Sequence, residues 1–237
     1  TPPLCQTGKH PVIIYVYGGP GAQKVRKEWS PLLLQLFAHN GFGVLELDNR
    51  GSSNRGRDFE APIYKAMGSV EVEDQLRGVE MLKSVPWADI DRIGIFGHSY
   101  GGYMTLMSLC RAPNVFKAGA AVAPVSDWAL YDSHYTERYM GLPQDNPEEY
   151  LRSGILPHLN QLDSPLLLMH GMADDNVLFT NSTLIMSELQ KLGKHFELMT
   201  YPGAKHSMQE THVSIHRFTT ILNFFSRHLK TKTTEQN

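Results

Sequence analysis

Gly97-His98-Ser99-Tyr100-Gly101-Gly102 sets one serine between two glycines, each two positions away. A serine hydroxyl is a weak nucleophile at neutral pH and needs a base within hydrogen-bond reach, itself oriented by a third group. Among eleven histidines, His206 stands out because it lies in a loop-like run, Pro202-Gly203-Ala204-Lys205-His206-Ser207. The third group is an acid, and Met172-Ala173-Asp174-Asp175-Asn176 offers two that spacing does not separate. Either aspartate could instead cap a following helix. His212 and His216 share the i, i+4 spacing of a metal pair, but no further ligand cluster accompanies them, so neither a metal nor another cofactor is predicted.

A reactive serine must project from a sharp bend, and its flanks supply one. Residues 93–97 read as a short buried strand, and residues from 101 onward as an apolar-rich helix. At such a bend a Cβ on either glycine would collide with the neighbouring strand or helix. Upstream, residues 12–17 form a β-branched and aromatic strand that ends at Gly18-Gly19-Pro20-Gly21. Residues 31–37 read as a helix capped by Ser30 with Pro31 at its first position, and residues 42–48 as the next strand. Val72, Leu76, Val79 and Leu82 share one face of a helix within 69–85, whose acidic first turn suits the helix dipole. Strands follow at 91–97, 118–122, 166–170 and 196–201, with a helix from about 182 to 192 between the last two. Ile215, Phe218, Leu222, Phe225 and Leu229 make the inward stripe of a closing helix, and the tail from Lys230 is polar.

Strands alternating with helices predict an α/β protein of the α/β-hydrolase fold: a mostly parallel sheet with helices on both faces, residues 1–237 forming one domain. Along the chain that fold orders its catalytic groups as serine, acid, histidine, which is the order found here. Residues 124–162 break the alternation, with many aromatics and no clear strand. Trp128, Tyr131, Tyr135 and Tyr139 recur every three or four residues, as on one helical face. Such a stripe reads either as core or as pocket lining. Its place after the strand beyond Ser99, at the active end of the sheet, puts pocket lining on at least an equal footing.

Composition narrows the partners. With 22 basic and 24 acidic residues and a net charge of −2, the 237-residue chain is a poor match for nucleic acid or an anionic membrane, which leaves a small or peptidic substrate. Two cysteines, Cys5 and Cys110, are too few for a disulfide framework or a zinc cluster. No apolar run reaches about 18 residues, and the first residues lack the pattern of a signal peptide.

Three runs together carry a resemblance: Gly97-His-Ser-Tyr-Gly-Gly-Tyr-Met104, His170-Gly-Met-Ala-Asp-Asp-Asn-Val177 and Tyr131-Asp-Ser-His-Tyr-Thr-Glu-Arg-Tyr-Met-Gly141. Over nearly its whole length the chain resembles the dipeptidyl peptidase IV branch of the prolyl oligopeptidase family of serine peptidases. Its run Asp48-Asn-Arg-Gly-Ser-Ser-Asn-Arg-Gly56 is most similar to bacterial members. The resemblance implies Ser99 as nucleophile, His206 as base and Asp174, the first of the pair, as the orienting acid. It implies the Tyr17 hydroxyl and the Tyr100 backbone N–H as oxyanion donors, against a plain reading of Tyr17 as a buried strand aromatic. It also implies a proline-ring pocket made by Tyr100, Val125, Trp128, Tyr131, Tyr135 and Val177, with Asn176 binding a substrate carbonyl. Aromatic faces suit a flat apolar ring, whereas a charged side chain would be left desolvated.

Two departures accompany the likeness. The residue before the serine, often tryptophan in this family, is His98 here. Family members also carry an N-terminal β-propeller whose acidic pair grips the substrate's amino terminus, and their sheet has two strands ahead of the one at 12–17. Thr1-Pro2-Pro3 resembles the end of the second. The expectation is therefore a fragment lacking the propeller and those strands. The implied function is a serine exopeptidase that releases dipeptides with proline or alanine in second position from peptide N-termini through an acyl-enzyme. A carboxylesterase of the same fold and an inactive interaction domain are the alternatives. For the intact protein the resemblance implies a homodimer and a periplasmic or secreted bacterial location.

Overall fold

In the computed structural model residues 8–230 are described, so Thr1-Pro2-Pro3, Cys5 and the tail beyond Lys230 lie outside the described residues. Six β-branched, alanine- and leucine-rich runs pair as β1 (His10–Tyr15), β2 (Gly43–Leu45), β3 (Ala88–His98), β4 (Ala118–Val122), β5 (Leu166–Gly171) and β6 (Glu197–Tyr201). Every pairing is parallel, in the order β2-β1-β3-β4-β5-β6. Parallel neighbours require crossovers. These carry α1 (Leu32–His39), α2 (Arg57–Glu60), α3 (Val70–Leu82), α4 (Tyr100–Arg111), α5 (Ser133–Met140), α6 (Pro147–Ser153) and α7 (Thr180–Lys191), and α8 (Thr211–Leu229) follows β6.

Side chains alternate across the sheet, so each strand feeds two cores. Val12, Ile14, Ile95 and Leu168 join residues of α3, α4 and α7 on one face. Ile13, Phe96, Leu167 and Met169 join Phe37 of α1 and Ile221, Phe224 and Phe225 of α8 on the other. The chain moves one way from β1 to β2 and the opposite way from β1 to β3, so the order reverses at β1/β3. The crevice beyond the strand ends at such a reversal is where open α/β sheets bind ligands.

The fold is the α/β-hydrolase architecture expected, and four local readings change. Strand β1 stops at Tyr15, so Tyr17 lies in the loop rather than in the strand. Strand β2 stops at Leu45, because the chain turns out of the ladder toward Asp48, whose carboxylate accepts the N–H groups of Lys24 and Val25 at 2.8 and 3.0 Å. Helix α1 begins at Leu32 with Pro31 at the cap position; Ser30 makes no side-chain cap, and its carbonyl accepts from Gln35 Nε2 at 2.7 Å. Helix α8 turns Val213, Arg217, Ile221, Phe224, Phe225 and Leu229 inward and leaves Ile215 exposed, so the expected stripe is rotated. The inward face contains an arginine, which a hydropathy pattern skips. Arg217 earns its place by donating to the Ser207 carbonyl at 3.3 Å and lying over the Phe218 ring.

Candidate active site

Strand β3 ends at His98 and α4 begins at Tyr100, so Ser99 makes the turn alone, with φ 62° and ψ −120°. A residue with a Cβ seldom occupies that region, and the surroundings must hold it there. The Ser99 N–H donates to the Val122 carbonyl at 2.8 Å, and the Ser99 carbonyl accepts from Tyr103 N–H at 3.0 Å. A Cβ on Gly97 would stand 2.3 Å from the Gly101 carbonyl oxygen, and one on Gly101 would stand 2.2 Å from that of Val16. Both neighbours are backbone and cannot swing aside, so the two glycines let α4 start directly against β3 and the end of β1.

The loop after β6 brings His206 to this turn, with its Nε2 2.9 Å from Ser99 Oγ. Its Nδ1 lies 2.7 Å from Asp174 Oδ2, in the loop after β5. A carboxylate only accepts, so the His206 proton sits on Nδ1 and Nε2 is free to accept from the serine hydroxyl. Asp174 is buried, and its other oxygen accepts the N–H groups of Asn176 and Val177, each at 3.0 Å. Burial alone would raise its pKa. The hydrogen bonds from His170, His206 and the Asn176 backbone outweigh burial and hold the carboxyl below the usual carboxylate range. Asp175 instead faces solvent and pairs with Lys205 Nζ at 2.7 Å. The geometry therefore brings Asp174, and not Asp175, to His206.

His170 is a partner that sequence reasoning missed. Its Nε2 lies 3.1 Å from Asp174 Oδ2 and 2.8 Å from the Val177 carbonyl, both acceptors, so it carries a proton there. Its Nδ1 lies within hydrogen-bond distance of Ser182 Oγ, at 2.7 Å. The i, i+4 spacing of His170 and Asp174 was visible, but only burial reveals that the histidine serves the aspartate.

Tyr17 lies half-buried beside Ser99's helix, its ring 6.0 Å from that of Tyr100. Burial first, and then Tyr139, raises its hydroxyl above the ordinary tyrosine value, so it remains a donor. Tyr100 opens α4, where a backbone N–H has no carbonyl one turn earlier to bond. Its own hydroxyl donates to Glu71 Oε1 at 2.7 Å, and that oxygen also receives the Gly68 N–H at 2.9 Å. Glu71 reads in the sequence as a first-turn acid of α3; in the fold it is fully buried and fixes the Tyr100 ring.

The aromatics at 128–139 come together, but not along one helix. Trp128 sits in a 3₁₀ turn, Tyr131 follows it, and only Tyr135 and Tyr139 lie on α5, because Asp132 caps a new helix by accepting the Tyr135 N–H at 2.9 Å. Trp128 and Tyr135 nonetheless stack at 6.3 Å, with Tyr131 edge-on to both at 6.1 and 5.3 Å. Tyr100 lies 5.4 Å from Trp128, and Val125 and Val177 are buried in the same cluster. Tyr17, Tyr131 and Tyr135 are only partly buried there, in a cluster that includes Tyr100, the residue after Ser99. The Tyr131 hydroxyl donates to Asn176 Oδ1 at 2.7 Å, so the Asn176 amide group is left to donate elsewhere. Among the described residues no group of three histidine, cysteine, aspartate or glutamate side chains is placed to hold a metal, and His216 packs instead with Tyr201.

An acid, an imidazole and a serine on a strained strand-to-helix turn, carried by the ends of a parallel sheet, define an α/β-hydrolase. The sequence model of the prolyl oligopeptidase family matches residues 28–232, and the chain belongs to that family. It is 36% identical over 228 residues to dipeptidyl peptidase 8 of Mus musculus, covering 93% of this chain and 26% of that protein. It is 41% identical over 203 residues to dipeptidyl peptidase family member 1 of Caenorhabditis elegans, covering 84% of this chain and 25% of that protein. The solved structure of Porphyromonas gingivalis dipeptidyl peptidase 4 superposes with a TM-score of 0.90 at 38% identity, over 94% of this chain and 32% of that one. The chain thus spans about a quarter to a third of the length of these relatives.

Proposed function

We propose that this chain is the catalytic domain of a serine dipeptidyl peptidase that releases dipeptides with proline or alanine in second position from peptide N-termini. The observation that carries this reading is the continuous hydrogen-bonded series Ser99, His206, Asp174 beside a half-open cluster of aromatic rings. Ser99 Oγ attacks the scissile carbonyl while His206 Nε2 takes its proton, and Asp174 keeps the base in the required tautomer. Negative charge then develops on the carbonyl oxygen. The Tyr17 hydroxyl and the Tyr100 N–H donate to it, and such donors matter because they are fixed before charge appears. His206 returns the proton to the leaving amine, and water admitted to the same base releases the acyl group. Tyr100, Val125, Trp128, Tyr131, Tyr135 and Val177 receive the proline ring, and Asn176 donates to a substrate carbonyl.

The names of the relatives support the dipeptidyl reading over a carboxylesterase or an inactive domain. A fluorophosphonate probe should label Ser99 in the wild type and not in Ser99→Ala. Turnover of a Gly-Pro anilide should exceed that of a short acyl ester. Labelling without anilide turnover would overturn the peptidase assignment, and no labelling would overturn the hydrolase one. For the intact protein the same reading carries a homodimer and a periplasmic or secreted location, to be checked by sedimentation and cell fractionation.

A further inference from the structure

His98 ends β3 immediately before the nucleophile, in register with Val122 of β4. Strand alternation sends its side chain to the same face as Phe96, the side on which α8 and the His206 loop lie. There its ring meets that of His206, centroid to centroid at 4.8 Å and inclined by 35°. We propose that His98 is a positioning residue for the base, its ring walling one face of His206 so that Nδ1 and Nε2 stay aligned on Asp174 and Ser99. The inference rests on the catalytic reading above.

Three observations carry it. The two hydrogen bonds of His206 are made at Nδ1 and Nε2, whose N–H and lone pair point along the ring plane, so neither strongly resists displacement perpendicular to that plane. His206 also hangs from a loop rather than a helix or strand. That loop is tied around it by Met208 N–H to the Lys205 carbonyl, by Ala173 N–H to the Ala204 carbonyl and by Arg217 of α8 to the Ser207 carbonyl, none of which holds the ring itself. A ring packed on the face supplies the missing restraint. Second, His98 Nε2 is buried with no hydrogen-bond partner. An unpaired buried nitrogen costs free energy, so Nε2 is not what keeps this ring here, and the imidazole reaches His206 by its face and by a hydrogen bond with the His206 backbone. Third, the wall must not compete for the proton. The groups facing His98 are His206, Arg217 from α8 and Asp174 from the loop after β5. Burial, then the adjacent His206 and Arg217, lower the His98 imidazole to about 3 against the weaker opposing effects of a hydrogen bond with the His206 backbone and of Asp174. His98 is therefore neutral wherever His206 works.

The test compares His98→Phe, His98→Leu and His98→Ala in the full chain, measuring Gly-Pro anilide kinetics and the rate at which fluorophosphonate labels Ser99. Misplacing a catalytic group by about 1 Å can cost about 10²-fold. His98→Ala and His98→Leu should each lower kcat by roughly 10- to 100-fold with KM within about twofold, and slow labelling in parallel. His98→Phe should stay within about threefold of wild type, because it restores a flat face without the nitrogens. Thermal melts separate folding from positioning, since leucine fills the volume and should melt near wild type. Wild-type rates in His98→Leu, or a loss in His98→Phe equal to that in His98→Ala, would overturn the inference while leaving the triad intact. Failure of the probe to label the wild type would overturn the catalytic reading and this inference together.

Discussion

Replacing Asp174 by asparagine preserves the shape of the side chain, and yet on the proposed mechanism it should disable the base. Oδ1 of Asp174 accepts two backbone N–H groups, from Asn176 and Val177, each at 3.0 Å. An amide in that place must put its oxygen there, because its NH₂ would otherwise point at two donors. The NH₂ then takes the position of Oδ2, 2.7 Å from His206 Nδ1. His206 has to accept at Nδ1, its proton moves to Nε2, and Nε2 can no longer receive the proton of Ser99. Serine proteases whose triad acid is made an amide lose about 10⁴ in kcat. At about 1.36 kcal/mol per tenfold, that is about 5 kcal/mol of barrier. Asp175→Asn disturbs only the exposed pair with Lys205 and should leave kcat within about twofold. Saturating Gly-Pro anilide turnover, with circular dichroism to confirm folding, measures both. An Asp174→Asn variant retaining more than a tenth of wild-type kcat, or an Asp175→Asn variant with the larger loss, would refute the tautomer reasoning.

Tyr17→Phe keeps the ring that packs beside Tyr100 and removes only the hydroxyl, so kcat should fall roughly 10²- to 10³-fold with KM little changed; equal kcat would return Tyr17 to a packing role. His98 adds an acid liability. Its folded pKa, about 3, lies below the unfolded value of 6.5, so the unfolded chain binds the extra proton and stability falls as pH drops through that window. Between pH 6.5 and about pH 5 the slope of about 1.36 kcal/mol per unit gives at most about 2 kcal/mol, and the wild type should lose more Tm than His98→Phe over that range; parallel losses would contradict it. Cys110 is buried and its thiol is pushed up to about 12, so iodoacetamide at about pH 8 should modify it only after denaturation, as peptide mapping would reveal.

Much of this site is legible in the sequence because its chemistry is written in short-range pattern. Gly97 and Gly101 mark a turn that only a Cβ-free backbone allows, and strand periodicity locates the loops from which Asp174 and His206 emerge. What stays hidden depends on which way a side chain turns after the chain has folded. Asp174 and Asp175 are neighbours in sequence, yet one is buried under two histidines and the other faces water. Glu71 looks like a surface acid suited to a helix dipole until Tyr100 is found bonded to it. The inward face of α8 is misread for a related reason: Arg217 occupies it, and hydropathy assigns that position to solvent. The aromatic group fails differently, since helical spacing predicts adjacency correctly while the Asp132 cap divides the segment.

Ser99 and His206 are 107 positions apart, which has a consequence for the protein while it is being made. At about 5–20 residues per second, the ribosome completes the serine roughly 5–20 s before it reaches the histidine. Throughout that interval the turn at Ser99 lacks the imidazole that the proposed mechanism uses as its base. Asp174 and His206, 32 positions apart, are synthesised close together, and they are tied by the same two late strands, β5 and β6. On the catalytic reading proposed above, the three groups can meet only after β6 and the loop beyond it have been made, so a nascent chain stalled short of that strand should not label with a fluorophosphonate probe.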